Sequence, residues 1–233
     1  NCDNAVASVT VDPSPIVATP DSYTGINGAT GNPNVGSALV NDTVNGATAT
    51  VGASGNATLA INTPAASIGG APVPALDINT GIVSVPPGTP AGLYVINYKL
   101  CEKLNPTNCK DTVITVNVDP APIVATNDIY PGVNGATGNA NVGNALANDT
   151  VDGLLATVGA TGNAVMSVLE PATPADAGAP VPSVDPATGI VSVPPSTPGG
   201  AYVIKYKLCE KLNPTNCKEA TITVPISAID TVK

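Results

Sequence analysis

The 233-residue chain has no histidine, no arginine, no phenylalanine and no tryptophan, and it has one methionine. Each absence excludes something. Without histidine there is no side chain whose ordinary pKa lies near neutral pH to serve as a general base. Eight lysines are scattered against seventeen acids, for a net charge of −9, so no basic cluster exists to grip a phosphate backbone. Six tyrosines are the only aromatics, and four of them (Tyr94, Tyr98, Tyr202 and Tyr206) are expected to point inward, which ranks a carbohydrate-binding module last. No run of about 18 apolar residues occurs, so no membrane-spanning helix is expected. The carboxylates sit in turns and links rather than in a motif that pairs an acid with a base, and the chain reads as a non-enzyme.

Hydrophobic residues make up 43% of the chain and are mostly Val, Ile, Leu and Ala; 23 Gly and 24 Pro punctuate it. Short Val/Ile/Thr-rich runs between such breakers read as all-β. The chain also repeats itself. VDPSPIVAT at 11–19 returns as VDPAPIVAT at 118–126, and TGIVSVPP at 80–87 returns at 188–195. The offset is 118 − 11 = 107 early and 188 − 80 = 108 late. One unit of that length matches a single β-sandwich domain. The expected organisation is residues 1–10 as the closing strand of a preceding repeat, 11–118 as repeat 1, and 119–233 as repeat 2 with the start of the next link. In this frame Cys2 corresponds to Cys109 (109 − 107 = 2), so its partner is expected outside this segment.

The most regular stretch is a hairpin. In LYVINYKLC at 93–101, Tyr94, Ile96, Tyr98 and Leu100 share one face, which is predicted to point inward. In CKDTVITVNV at 109–118, Ile114, Val116 and Val118 do the same, and both cysteines are expected on the outer faces. Antiparallel pairing then sets Cys101 beside Cys109, and Cys209 beside Cys217 in the second copy. The two cysteines lack the further soft ligands zinc needs, so each pair reads as a disulfide. It closes a loop of about nine residues, worth roughly 2.5 kcal/mol by loop entropy. Such bonds persist outside the cytosol, so the compartment is expected to be periplasmic or extracellular, with a cell surface as the expected location. A closed hairpin is also expected to limit how far a pulled domain unravels.

Asp12, Asp21, Asp42, Asp119, Asp128 and Asp149 recur near the start of each unit. They are candidate ligands for a calcium ion, which takes six to eight oxygens. The competing reading is that they make local turn hydrogen bonds. No other cofactor or metal is expected. Thr43, Thr112, Thr150 and Thr231 each follow an aspartate and precede an aliphatic residue. That pattern resembles the acceptor for O-linked glycans on exported proteins of Bacteroidota.

The blocks TGIVSVPPxTPxGxY, LCExxNPTNC and the Val/Thr-rich closing strand together resemble the Ig-like repeats of giant Bacteroidota surface adhesins exported by the type IX secretion route. The ANDT block at 147–150 resembles cadherin-like repeats. The resemblance covers the whole chain and implies tandem Ig-like β-sandwich domains in an extended cell-surface stalk. Its partners would be neighbouring repeats, with surface glycans or other cells as what the larger protein attaches to. The alternative is a filament of identical subunits, in which the N-terminal strand is donated to a neighbouring molecule.

Overall fold

The computed structural model describes residues 2–227, which form strands and turns with no helix among them. The chain divides into two compact units between Asp119 and Pro120.

Unit 1 contains β1 (Ile16–Val17), β2 (Asp21–Asn27), β3 (Asn32–Ser37), β4 (Thr43–Val44), β5 (Ala47–Thr48), β6 (Ala57–Thr63), β7 (Ala75–Leu76), β8 (Ile82–Val85), β9 (Gly92–Glu102) and β10 (Cys109–Asp119). A four-stranded sheet in the order β2-β10-β9-β6 carries one half of the core. Two three-stranded sheets, β1-β4-β5 and β3-β8-β7, complete the unit. Unit 2 repeats the plan with β11 (Ile123–Val124), β12 (Asp128–Ile129), β13 (Val133–Asn134), β14 (Asn139–Asn144), β15 (Thr150–Val151), β16 (Leu154–Leu155), β17 (Ala164–Glu170), β18 (Ser183–Val184), β19 (Ile190–Val193), β20 (Gly200–Glu210) and β21 (Cys217–Ser227). Each unit is an all-β, Ig-like sandwich.

The β9–β10 hairpin is the spine of unit 1. Its ladder runs from Cys109 opposite Cys101 to Val118 opposite Gly92. The period-two pattern places Tyr94, Ile96, Tyr98, Leu100, Ile114, Val116 and Val118 inside, each at 2% exposure or less. They pack with Ile16, Val44, Leu76, Val83 and Val85 of the facing sheets in one core cluster. Burying a side chain of this size stabilises by roughly 1.5–3 kcal/mol, so the hairpin supplies a large share of the unit's stability. The tyrosine rings do the work that Phe and Trp do elsewhere, and their hydroxyls must find partners. Tyr94 donates to the Pro90 carbonyl at 2.8 Å and Tyr202 to the Pro198 carbonyl at 3.0 Å.

Lying on the outer face does not leave the first cysteine of each pair exposed. Cys101 is 6% exposed and Cys209 is 7% exposed. Cys101 has outward parity, yet it lies in the middle of a row, with Thr58 opposite it on one side and its partner Cys109 on the other.

Turn chemistry is local and literal. Asn45 and Gly46 link β4 to β5 with φ of 54° and 74°, the left-handed pair a type I′ turn demands. Two glycines are required for space instead. A Cβ on Gly28 would run into the Thr89 carbonyl oxygen and the Val118 side chain. Gly28 also donates to the Asp119 carbonyl and accepts from Thr89, tying the end of β2 to the end of β10. Its counterpart Gly135 faces Thr197 and Ile226 in the same way. Gly28→Ala is expected to cost unit 1 about 1–3 kcal/mol by overpacking, read as a lower melting temperature. An unchanged melting temperature would show that the backbone there shifts freely.

Candidate functional site

Two polar clusters stand out in each unit, and both copies build them from corresponding residues. The first joins the strand β2 (or β12) to the turn before β4 (or β15). In unit 1, the Tyr98 hydroxyl lies 3.2 Å from Asp21 Oδ2, 3.2 Å from Asp42 Oδ2 and 3.0 Å from the Ala38 carbonyl. Asp42 is fully buried, and its Oδ1 accepts from the Thr19 backbone N–H at 2.7 Å. In unit 2, the Tyr206 hydroxyl lies 2.7 Å from Asp149 Oδ2 and 3.3 Å from the Ala145 carbonyl. Asp149 is fully buried and accepts from Thr126 N at 2.7 Å. Asp128 is 8% exposed, and its Oδ2 is buried with no hydrogen-bond partner; the Tyr130 hydroxyl is buried and unpartnered as well.

Burial sets the electrostatics. It pushes the Asp21 carboxyl up to about 6, against the hydrogen bond from Tyr98 and with help from the charge of Asp42. Asp128 rises to about 7, through burial first and the neighbouring Asp149 second. Asp42 and Asp149 are raised by burial and held down in part by the Thr19 and Thr126 backbone donors. The Tyr98 and Tyr206 hydroxyls are pushed far up, chiefly by burial. The ion pairs among the described residues belong to Lys205, with Glu219 and Glu170, so no lysine neutralises either aspartate pair.

The second cluster lies beside the disulfide. Cys101 and Cys109 are bonded, as are Cys209 and Cys217. The residue after the first cysteine, Glu102, accepts from Ser14 N at 3.1 Å and from Ser14 Oγ at 2.8 Å. The residue before the second, Asn108, donates to the Ser14 carbonyl at 2.7 Å and to Glu102 Oε2 at 2.9 Å. Unit 2 repeats this: Glu210 Oε2 accepts from Ala121 N at 3.0 Å, and Asn216 donates to the Ala121 carbonyl at 2.7 Å. Both backbone groups of the incoming residue are thus clipped to the closed loop. Donors from Asn108, Asn105 and Ser14 hold Glu102 down at about 2, so it stays ionised.

Sequence reasoning placed six aspartates together as calcium candidates. The structure joins Asp21 with Asp42 and Asp128 with Asp149. Asp12 is exposed, and Asp119 accepts instead from Asn117 Nδ2 at 3.0 Å. Among the described residues no three His, Cys, Asp or Glu side chains gather where a metal could be held. The pairs do not fit calcium. A tyrosine hydroxyl already sits at the point where the acceptor oxygens converge, and one oxygen of Asp42 and of Asp149 is committed to a backbone N–H. Asp42 and Asp149, wholly inside, also offer no access to a substrate.

The threonine candidates fare unevenly. Thr43 and Thr150 are half-buried on β4 and β15. Thr112 is corrected: it is 8% exposed and its hydroxyl is buried opposite Tyr98, so the folded unit does not present it to a glycosyltransferase. Thr231 lies outside the described residues. Cys2 is exposed and unpaired. The latch of Glu102, Asn108, Glu210 and Asn216 was missed, although the repeated ExxNPTN letters between the cysteines were its signal.

No protein-family model matches the chain, and no curated protein matches it. Among solved structures it is similar to protocadherin gamma B2 extracellular cadherin domains 3-6, at 9% identity over 93% of this chain and 52% of that one, with a TM-score of 0.35. It is similar to the human desmocollin-1 ectodomain at 12% identity over 94% of this chain and 42% of that one, with a TM-score of 0.34. The figures for mouse Cadherin-23 EC22-24 are 12% identity, 95% and 68% coverage and a TM-score of 0.35. The chain spans about half the length of the first two. Likeness this distant assigns neither ligand nor activity.

Proposed function

We propose that the chain is a structural segment of an extracellular, cell-surface adhesin or stalk, built from serial Ig-like repeats that extend the protein and bear load. The observation that carries this reading is the placement of the terminal strands. β2, near the start of unit 1, runs parallel to its closing strand β10, with Asp21 opposite Ile114 and Asn27 opposite Asp119. A pull on the two ends of such a unit shears this ladder, so its bonds share the load. The disulfide beside each latch supports an oxidising compartment. The Bacteroidota and type IX assignment belongs to the same proposal and rests on the sequence resemblance. Neighbouring repeats are the partners, and the aspartate pairs are structural.

The second reading is a filament subunit. Residues 2–12 carry no strand, yet Val6, Val9 and Val11 are 91%, 84% and 85% exposed. These valines follow the pattern of Val113, Val116 and Val118 in β10, and Cys2 follows Cys109. On either reading the stretch is a closing strand, completing an upstream repeat or a neighbouring molecule.

A peptide map of native surface material under non-reducing conditions tests both. Linked Cys101–Cys109 and Cys209–Cys217 peptides are expected, with Cys2 bound to a cysteine that precedes glutamate in the same chain. A Cys2 peptide linked to a second molecule establishes the filament. Free thiols at all five positions would sink the extracellular reading.

A further inference from the structure

We propose that the aspartate pair of each unit is closed by a retained proton and a tyrosine hydroxyl rather than by calcium, so that the units loosen as pH rises toward neutral. The hydrogen-bond count carries this. A tyrosine hydroxyl has one hydrogen to give. Around Tyr98 stand three acceptor oxygens, from Asp21, Asp42 and Ala38. Around Tyr206 stand Asp149, Ala145 and Thr126. Each site is therefore short of hydrogens. In unit 2 the deficit is sharper, because Asp128 Oδ2 is sealed from water with no hydrogen-bond partner, and among the described residues the Asn148 side chain is the one donor that bears on this carboxyl. Leaving a neutral carboxyl oxygen unpaired costs far less than leaving a buried carboxylate unpaired. A proton removes that difference.

The groups facing each pair agree. Asp21 meets Asp42, Tyr98, Tyr23 and the side chain of Asn41. Asp128 meets Asp149, Tyr206, Tyr130 and the side chain of Asn148. None of them brings a positive charge. Two carboxylates and no cation, away from water, favour one bound proton.

The direction with pH follows. Asp21 and Asp128 hold protons more tightly folded than unfolded, so their contribution is fully present below about pH 4 and lost as pH rises through about 6 and about 7. Glu102 is shifted the other way, and its contribution disappears only as pH falls toward about 2. Stability is therefore greatest in mild acid.

The test is a titration of the aspartate carboxyl carbons of the full chain by NMR, with and without millimolar calcium. The expected midpoints are about 6 for Asp21 and about 7 for Asp128, unmoved by calcium. In parallel, the unfolding constant of unit 2 is expected to rise about tenfold per pH unit between roughly pH 5 and 7, and to stay flat over that range in Asp128→Asn. Unit 1, where Asp21 is more exposed, shows a smaller rise. Midpoints below about pH 5 for every aspartate would overturn the proposal. So would a calcium-induced downward shift at these two, since a cation would then be taking the proton's place. Should Asp128→Asn fail to fold, the wild-type titration decides alone.

Discussion

Stretched from its two ends, the chain is expected to lose unit 2 first and to hold unit 1 to a higher force. The two units share a plan but differ in the ladder that takes the load. In unit 1, β2 is a single strand of seven residues along β10. In unit 2, the same span is split: β12 pairs at Ile222 and Thr223, and β13 pairs at Ile226 and Ser227. Unit 1 also shifts register there, between Val116 and Val118, but keeps Val116 opposite Tyr23; in unit 2 the gap is wider and two prolines stand in it. Pro131 stands where unit 1 has Thr24, and Pro225 stands in β21 where β10 has Asn117. Proline has no N–H to give a ladder and is tolerated only where the ladder does not ask for one. Each ladder bond is worth roughly 1 kcal/mol, and bonds loaded in shear must fail together, so the ladder with fewer paired residues should yield sooner. Single-molecule stretching of the full chain would show two steps at distinct forces. Asn117→Pro should lower the higher one, and Pro131→Thr with Pro225→Asn should raise the lower one. Equal forces, unmoved by these exchanges, would mean the parallel ladder is not where the units resist. The disulfide has a smaller part than its sequence suggests. With a sequence separation of 8 it hides only about 28 Å of extended chain, so it fixes the hairpin rather than limiting how far a unit unravels.

Where the chain alternates with period two, the sequence was enough. The faces of β9 and β10 and the pairing of the cysteines followed from spacing, because a strand's side chains have only two directions. The Asn45–Gly46 turn is legible too, because Asn-Gly suits the positive φ that both positions adopt. The short strands β1, β4, β5 and β7 were poorly legible. They hold two residues each and are fixed by tertiary pairing, not by any local pattern. The aspartates were legible as recurrent but not as a pair. Asp21 and Asp42 meet only because β9 carries Tyr98 between them, from 56 residues beyond Asp42 in the chain. Thr112 shows the opposite failure. Its DTV triplet looks like its neighbours, yet its parity with Ile114 and Val116 already puts it on the inward face, where it stands opposite Tyr98.

Replacing Glu210 by alanine is expected to be among the most damaging single changes in unit 2. Its side chain is buried to 1% exposure, where a carboxylate survives only if its oxygens are satisfied. Three donors satisfy it: Ala121 N at 3.0 Å, Asn213 Nδ2 at 2.8 Å and Asn216 Nδ2 at 2.9 Å. Truncation leaves the Ala121 N–H without its acceptor at a residue 1% exposed, and takes a charged acceptor from both amides. Bonds to a charged group are each worth about 1.5–3 kcal/mol, and relaxation recovers part of the loss, so a net cost of about 3 kcal/mol is expected. For a domain of this size that lowers the melting temperature by roughly 12–24 °C. Glu210→Gln keeps one acceptor oxygen and should cost about half as much. Glu219→Ala removes an exposed carboxylate 2.7 Å from Lys205 and should leave the melting temperature unchanged. Calorimetry of the three variants gives the order, and hydrogen exchange at Ala121 gives the cause. The amide should lose its protection in Glu210→Ala at pH values where the rest of β20 and β21 remains protected. Protection lost evenly across the whole unit would mean that Glu210 supports the fold at large. Protection kept at Ala121 would mean that the hairpin does not clip the incoming chain at all.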